Sequence, residues 1–439
     1  MLKKASINRE IMRLAVPNII SNISVPLLST VDTALMGRLS AAHIGAVGLA
    51  SMLFNFVYWN FGFLRMGTTG MTAQAFGSRD GQAIHLVLGR SLLIALSLAL
   101  LVVLMQQMLL KAGLLGLQVP EDQVGLVSQY FYIRIWAAPA TLISYALLGW
   151  YFGMQNAIYP LIITIFINLV NMVLSYALVH YGGWAIRGVA WGTLLAQYLG
   201  VILAVALLIS RYGFKQLHFR LSDLIYWPAF SGFLRINGNL FIRTVCLTFA
   251  FAYFYAQSAH LDPILLAVNV ILLQLLNWLS YAVDGFAFAA ESLVGKYFGA
   301  SDRPSLQRVI RLSFLWGGVV ALGFALLFGL GGTLIFRIYT DQEEVLAAGR
   351  EWLLWMAALP LISFASYIWD GIFIGLTASR AMRNTMVLAL LLFLMLHQWW
   401  LKQHSWGLWL AFLIFMFARG AFQSIVYFRQ GSRMSELPD

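Results

Sequence analysis

The stretch AVPNIISNISVPLLSTVDTALMG, Ala15 to Gly37, contains one charged residue, Asp32. About 20 predominantly apolar residues are enough for a helix to cross the hydrocarbon core of a bilayer. Similar apolar windows recur along all 439 residues, of which 61% are hydrophobic and only 10% are charged. Soluble domains average about 25% charged residues. The sequence therefore predicts an all-α polytopic membrane protein.

Twelve membrane-spanning helices are predicted from the apolar windows between loop signals. Their approximate bounds are 11–36, 44–73, 88–111, 127–153, 159–181, 188–210, 229–258, 263–291, 309–334, 347–376, 384–401 and 406–428. An even number of spans puts both termini on one side. Eighteen Lys and Arg residues fall on that side and six on the other, so the positive-inside rule predicts cytoplasmic termini. This asymmetry accounts for the net charge of +11 without a nucleic-acid partner.

The two halves of the chain repeat each other at an offset of 221 or 222 residues. AFGSRD at Ala75–Asp80 matches YFGASD at Tyr297–Asp302, and GWYFG at Gly149–Gly153 matches GIFIG at Gly371–Gly375. We predict an amino-terminal lobe at 1–210, a cytoplasmic linker at 211–228, a carboxy-terminal lobe at 229–428 and a cytoplasmic tail at 429–439. Six spans per lobe imply two six-helix lobes related by a pseudo-two-fold axis along the membrane normal, which is a transporter architecture.

Asp32 needs an explanation, because a charged Asp at the centre of a membrane helix costs about 2.5 to 3.5 kcal/mol on insertion scales. At 100° per residue Asn18, Asn22, Ser29 and Asp32 fall within an arc of about 80°. This polar stripe predicts a hydrated substrate pathway. The alternative is that Asp32 lies at the membrane interface and pairs with Arg38.

Pro26 lies beside the stripe and removes a backbone hydrogen bond, so we expect a helix bend there. The fifth span has a similar polar face that includes Asn168, Asn171 and Ser175. Such residues also occur as interhelical contacts in ordinary bundles. Two polar faces in one lobe, one of them with an acid, favour a shared hydrated cavity, and Asn168 is assigned to the substrate pathway.

The second half places four ionisable residues at membrane depth: Arg243, Asp284, Glu291 and Asp370. They predict a charged network, which serves either to hold the lobe together or to take part in coupling or substrate attraction. Arg65, Arg134 and Arg419 are assigned no function, because Arg often snorkels to the interface.

Enzymatic motifs are missing from the sequence. It has no HExxH, Walker A or GxSxG pattern, and its seven histidines lack metal-ligand spacing. We therefore predict no catalytic residues and no metal site, and neither an enzyme nor an ATP-driven pump. A membrane enzyme is the alternative from another class, and it would turn over a lipid without any gradient.

The chain resembles the multidrug and toxic compound extrusion (MATE) family, in its DinF-like branch. The resemblance rests on AVPNIISNISVPLLSTVDTALMGRL, INLVNMVLSYALV, RGVAWGT, LRINGNLFIRT and DGFAFAAESLVGKYFGA. It implies two lobes that open alternately and export amphipathic, often cationic organic compounds with inward proton or sodium flow. It also implies a bacterial inner-membrane monomer whose partners are those small molecules and the lipid bilayer, with no cofactor beyond the ion gradient.

The resemblance also implies a cation-coupling site in the amino-terminal lobe. An acid on the first helix, an Asn and an Asp on the fifth and a Thr on the sixth match Asp32, Asn171, Ser175 and Thr193. Ser175 departs from that pattern, because it replaces a carboxylate with a hydroxyl. One titratable group suffices for protons, so we expect proton coupling. A sodium-coupled antiporter and a lipid or polysaccharide-precursor flippase are the alternatives.

Overall fold

A computed structural model describes residues 6–37, 41–213, 219–401, 404 and 406–430, without the side chains of 25–42, 44 and 430. The described residues are helical almost throughout and include no strand. In the part of the chain that the structure describes, eleven helical segments are long and apolar enough to cross a membrane. The first helix, α1 (Ile7–Gly37), has 31 residues, more than the roughly 20 that a bilayer requires. The predicted all-α polytopic fold is confirmed.

One compact unit is formed by the described residues of Ile20–Phe233. Beyond the second part of α1 it contains α2 (Ala41–Asn60), α3 (Phe63–Gly77), α4 (Gly81–Leu104), α5 (Gln106–Gly116), α6 (Glu121–Arg134), α7 (Ala138–Gly153), α8 (Ile158–His180), α9 (Ala185–Tyr212) and the short α10 (Leu221–Leu224). We call it the amino-terminal unit.

The carboxy-terminal unit comprises the described residues of Met1–Ile19 and Leu234–Asp439. It contains the start of α1, most of α11 (Trp227–Ser258), and α12 (Pro263–Gly299), α13 (Arg303–Tyr339), α14 (Glu343–Glu351), α15 (Leu353–Gly375), α16 (Ser379–Leu396) and α17 (Gly407–Gln430). A π-helical turn, His397–Leu401, follows α16.

The start of α1 belongs to the carboxy-terminal unit, which differs from the predicted lobe 1–210. Glu10 accepts hydrogen bonds from Lys296 Nζ at 2.8 Å and from the Tyr297 hydroxyl at 3.0 Å. Gly285 of α12 lies so close to Ile19 and to the carbonyl of Ala15 that a Cβ there would overlap them. An ion pair and a close helix contact therefore attach this segment to α12.

The linker segment next to α10 packs on α4 within the amino-terminal unit. Arg90, buried on α4, donates to the carbonyls of Leu224 and Asp223 at 3.1 Å each. Phe219 packs against the His85 ring with 4.6 Å between centroids. The described part of the linker predicted at 211–228 is thereby held to α4.

The internal repeat is visible as two copies of one helix junction. Arg79 and Ser301 both adopt positive φ, 60° and 55°. In each copy the next residue, Asp80 or Asp302, caps the following helix by accepting a backbone N–H three residues on. Matching backbone conformations at the repeat offset show that the sequence repeat is also a structural one.

A close helix crossing is repeated in the same way. Gly149 of α7 lies over the carbonyl of Arg65 in α3, and Gly371 of α15 lies over the carbonyl of Ala287 in α12. A Cβ at Gly149 would lie 2.5 Å from that oxygen. Because glycine lacks a side chain, it permits this approach in both units.

Candidate functional site

Asn171, Ser175 and Thr193 come together where α8 packs against α9. Asn171 Nδ2 donates to Thr193 Oγ1 at 2.8 Å, and the Thr193 hydroxyl donates to the carbonyl of Val189 at 2.9 Å. Gly192 makes the approach possible, since a Cβ there would lie 2.5 Å from Ser175 Oγ. Three predicted site residues from two helices thus form one polar cluster.

Two oxygens of this cluster have unused hydrogen-bonding capacity. Asn171 and Ser175 are wholly buried, and neither Asn171 Oδ1 nor Ser175 Oγ has a hydrogen-bond partner in the described part of the chain. Leaving a buried polar atom unsatisfied costs about 1 to 3 kcal/mol. Such exceptions at a buried site often mark a position that a ligand, ion or water fills.

Three predicted residues of α1 fall outside the described side chains: Pro26, Ser29 and Asp32. The α1 backbone is helical through all three positions. The roles predicted for them therefore remain predictions.

The other two residues of the α1 stripe are described. Asn18 is buried, and its Nδ2 donates to the carbonyl of Leu14 in the same helix at 2.8 Å. Asn22 is half-buried. Asn18 lies in the carboxy-terminal unit and Asn22 in the amino-terminal unit, so the stripe is divided between the two units.

Asn168, also assigned to the substrate pathway, contacts a residue that sequence reasoning missed. Its Nδ2 lies 3.1 Å from Ser24 Oγ and 3.3 Å from the Ser24 carbonyl. Ser24 is about 240° around α1 from Asn18, outside the predicted stripe. The link between α8 and α1 in this unit therefore uses a different face of α1 than periodicity indicates.

Asp370 is the centre of a buried charged cluster in the carboxy-terminal unit. It accepts hydrogen bonds from Arg243 of α11, from Arg419 of α17 at 2.7 Å and from Gln423 of α17 at 2.8 Å. Every member is at most 7% exposed. The Arg419 guanidinium also lies 5.7 Å from the Phe415 ring centroid. The cluster joins α11, α15 and α17.

The four residues of the predicted charged network have different surroundings in the structure. Arg243 and Asp370 pair directly, and Asp284 lies close enough to Arg243 to interact electrostatically. Glu291 is wholly buried, and its carbonyl lies at the crossing of α12 with Gly375. Arg419 belongs to the cluster, although the sequence analysis assigned it no function because Arg often snorkels to the interface. Gln423 also was missed, because a neutral residue near a helix end gives no signal of its own.

The two units share a backbone pattern but differ in chemistry at corresponding positions. A shift of 222 residues takes Asn171 to Phe393 and Thr193 to Phe415. The rings of that Phe pair lie 5.6 Å apart. An aromatic contact thus replaces the hydrogen bond, and the polar cluster belongs to the amino-terminal unit.

Comparison with known proteins extends these observations. The MatE family model matches residues 17–177 and 240–399, two segments separated by about the repeat offset. DNA damage-inducible protein F of Escherichia coli is 33% identical over 94% of this chain and 91% of its own. A probable multidrug resistance protein NorM of Bradyrhizobium diazoefficiens is 27% identical over 83% of this chain and 78% of its own.

Solved structures share the fold at lower identity. A mutant of the Vibrio cholerae MATE transporter VcmN is similar with a TM-score of 0.86 and 16% identity, over 99% of both chains. A MOP superfamily transporter of Pyrococcus furiosus has a TM-score of 0.83, also at 16% identity, over 98% of this chain and 97% of its own. The chain is a multi-pass membrane protein of the MatE family of multidrug and toxin extrusion transporters, in its DinF-like branch, and its relatives are transporters rather than enzymes.

Proposed function

We propose that the chain is a secondary active antiporter that exports amphipathic, often cationic organic compounds by alternating access, coupled to inward proton flow. Relatives are named for multidrug resistance and for multidrug and toxin extrusion. The observation that carries the proposal is the buried cluster of Asn171, Ser175 and Thr193. Asn171 Oδ1 and Ser175 Oγ have no hydrogen-bond partner in the described part of the chain. All three residues are at positions that match the coupling site implied by the family resemblance. In this proposal the protein acts as a monomer in the bacterial cytoplasmic membrane with both termini in the cytoplasm.

Protons are favoured over sodium by the charge of the site. The three described members are neutral, so Asp32 is the single carboxylate of the proposed set. Proton coupling requires one titratable group, whereas a sodium site gains affinity from each added carboxylate.

The proposed cycle depends on the charge of Asp32. A proton from the outside neutralises the carboxylate, weakens its attraction for a cationic substrate and favours substrate release. When the site opens inward the proton leaves. The regenerated carboxylate then attracts the next cation, so that each protonation state favours one half of the cycle.

The first test is Asp32→Asn in proteoliposomes loaded with ethidium. An amide cannot take up and release a proton in this pH range, so proton-driven efflux should fall to the level of protein-free vesicles. Asp341→Asn, an exposed acid far along the chain, is the matched control and should retain wild-type efflux. Undiminished efflux by Asp32→Asn would exclude the coupling scheme.

A sodium-coupled version of the same antiporter is the second candidate. The open oxygens of Asn171 and Ser175 support it, because oxygen atoms are the ligands that hard cations prefer. Imposing the proton gradient and the sodium gradient separately distinguishes the two. Efflux driven by sodium alone at constant pH would replace the proton assignment.

A further inference from the structure

The part of α12 from 271 to 299 has a half-buried face whose side chains differ from those of a lipid-facing surface. From Ile271 to Gly299 every residue of α12 is buried or half-buried. Among the half-buried ones are Trp278, Tyr281 and Asp284. By contrast, the exposed positions of α13 between Leu315 and Leu334 are aliphatic residues or glycines, with Leu330 at 88%.

The depth of Asp284 excludes a lipid-facing position. It lies roughly 30 Å along the helix axis from Pro263 and roughly 20 Å from Gly299, at 1.5 Å per residue. An ionisable side chain at such depth almost always faces the bundle interior or a water-filled cavity, since lipid exposure is costly. The half-exposed face of α12 is therefore a hydrated surface.

Three side chains on this surface are spaced to act together. Trp278, Tyr281 and Asp284 follow at intervals of three residues and span an arc of about 120°. The Trp278 and Tyr281 rings are edge-to-face with centroids 6.2 Å apart. Asp284 lies close enough to Tyr281 to interact electrostatically. Indole and phenol rings attract organic cations through their negative faces, and a carboxylate adds charge to that attraction.

The buried Asp370 cluster determines the electrostatic surroundings of Asp284. Arg243 and Arg419 carry two positive charges, and Asp370 supplies one negative charge. Asp284 interacts with Arg243 from the hydrated side and brings this group of four towards neutrality. Arg243 also offsets part of the attraction of Asp284 for a cation, which keeps binding reversible, as transport requires.

We propose that Trp278, Tyr281 and Asp284 form a binding site for aromatic organic monocations in the carboxy-terminal unit. The inference rests on the proposed export of cationic compounds and names the residues that recognise the charge. Asp284 binds the substrate cation, whereas Asp32 binds the coupling proton and, when it is ionised, adds to the attraction for the cation. The two acids then have separable roles.

The test is equilibrium binding to the purified full chain in lipid nanodiscs. The probes are tetraphenylphosphonium, a cation, and triphenylphosphine oxide, a neutral compound of related shape. Asp284→Asn should weaken tetraphenylphosphonium binding about tenfold, equivalent to about 1.4 kcal/mol, and leave triphenylphosphine oxide binding within about twofold. Asp284→Glu should restore the cation affinity.

Two further variants separate recognition from general damage. Glu291→Gln replaces a carboxyl group of the same helix at a wholly buried position, and it should leave the preference for the cation unchanged. Trp278→Leu should weaken tetraphenylphosphonium binding severalfold.

Wild-type cation affinity in Asp284→Asn, or equal loss of both probes, would overturn the proposal. Efflux without proton dependence, together with intact charge selectivity at Asp284, would instead overturn the proposed coupling and leave this site standing.

Discussion

Ser175 is the residue at which the proposed coupling site lacks a carboxylate of the DinF-like pattern. It is wholly buried, and its hydroxyl lies against Gly192. A second carboxylate at this position would supply the negative charge that an oxygen-coordinated cation requires. The identity of one side chain therefore separates a site suited to protons from one suited to sodium.

Ser175→Asp should accordingly introduce sodium dependence. We expect the apparent sodium affinity for driving efflux to improve about tenfold, equivalent to about 1.4 kcal/mol. The measurement is efflux from proteoliposomes against imposed sodium gradients at equal pH on both sides. Ser175→Asn adds similar volume without charge and serves as the control. If both variants respond alike to sodium, charge at this position does not select the ion.

Asp370 is the residue on which the carboxy-terminal cluster depends. Its two oxygens take three donors from two other helices. Removing its charge leaves Arg243 and Arg419 buried without their carboxylate, and breaking a buried pair in this way costs about 3 to 5 kcal/mol.

Asp370→Asn should therefore lower the thermal unfolding temperature in detergent by several degrees, because uncompensated buried charge destabilises the folded state. Asp341→Asn is the control, because Asp341 is exposed. An unfolding temperature equal to that of the wild type would show that the cluster does not stabilise the unit.

At the scale of helices, the glycine crossings determine how closely α7 approaches α3 and how closely α15 approaches α12. Gly149 and Gly371 each face a backbone carbonyl of the partner helix, which cannot move aside as a flexible side chain can. Both units have a glycine at this crossing. The close packing of these helix pairs is therefore a property of the repeat and not of the function of either unit.

Gly149→Ala and Gly371→Ala should each destabilise the protein by about 1 to 3 kcal/mol, the usual cost of overpacking. Gly125→Ala is the matched control, since a Cβ at this α6 position has no atom within 4 Å. Alanine also has the higher helix propensity, by about 1 kcal/mol, so the control should be neutral or stabilising. Thermal unfolding in detergent compares the three. Equal stability of Gly149→Ala and Gly125→Ala would mean that α7 and α3 can separate at little cost.

Across the whole molecule, the two units share a repeated helix arrangement but differ in the side chains at corresponding positions. The amino-terminal unit has hydrogen-bonded Asn171 and Thr193 where the carboxy-terminal unit has an aromatic contact between Phe393 and Phe415. The carboxy-terminal unit has the Asp370 cluster instead. Coupling and substrate recognition can then reside in different units, as proposed here.

Orientation in the membrane is also a property of the whole chain. The excess of Lys and Arg on one side predicts that the linker faces the cytoplasm and that the loop after α13 faces outward. In a Cys246→Ser background, which removes the single native cysteine, Asp341→Cys should react with an impermeant maleimide on intact cells. Ser222→Cys should react only after permeabilisation. Both native positions are exposed, so the reverse labelling pattern would contradict the topology.

The membrane class, the succession of apolar spans and the repeat could all be predicted from the amino-acid sequence. These properties follow from local hydrophobicity and from motifs, which require no knowledge of partners. The sequence also placed Asp284 and Glu291 on one helical face, because periodicity depends only on spacing.

Which of those positions are buried, and what they contact, depends on how the helices pack against one another. Glu291 is fully buried while Asp284 is half-exposed, a difference set by the helices packed against α12. Likewise, Arg419 reaches Asp370 from 49 residues away in the chain, and Asn168 contacts Ser24 across 144 residues. Helical spacing gives the direction of a side chain from its own axis, but the partner is set by how separate helices pack, and that information is not local to any one of them.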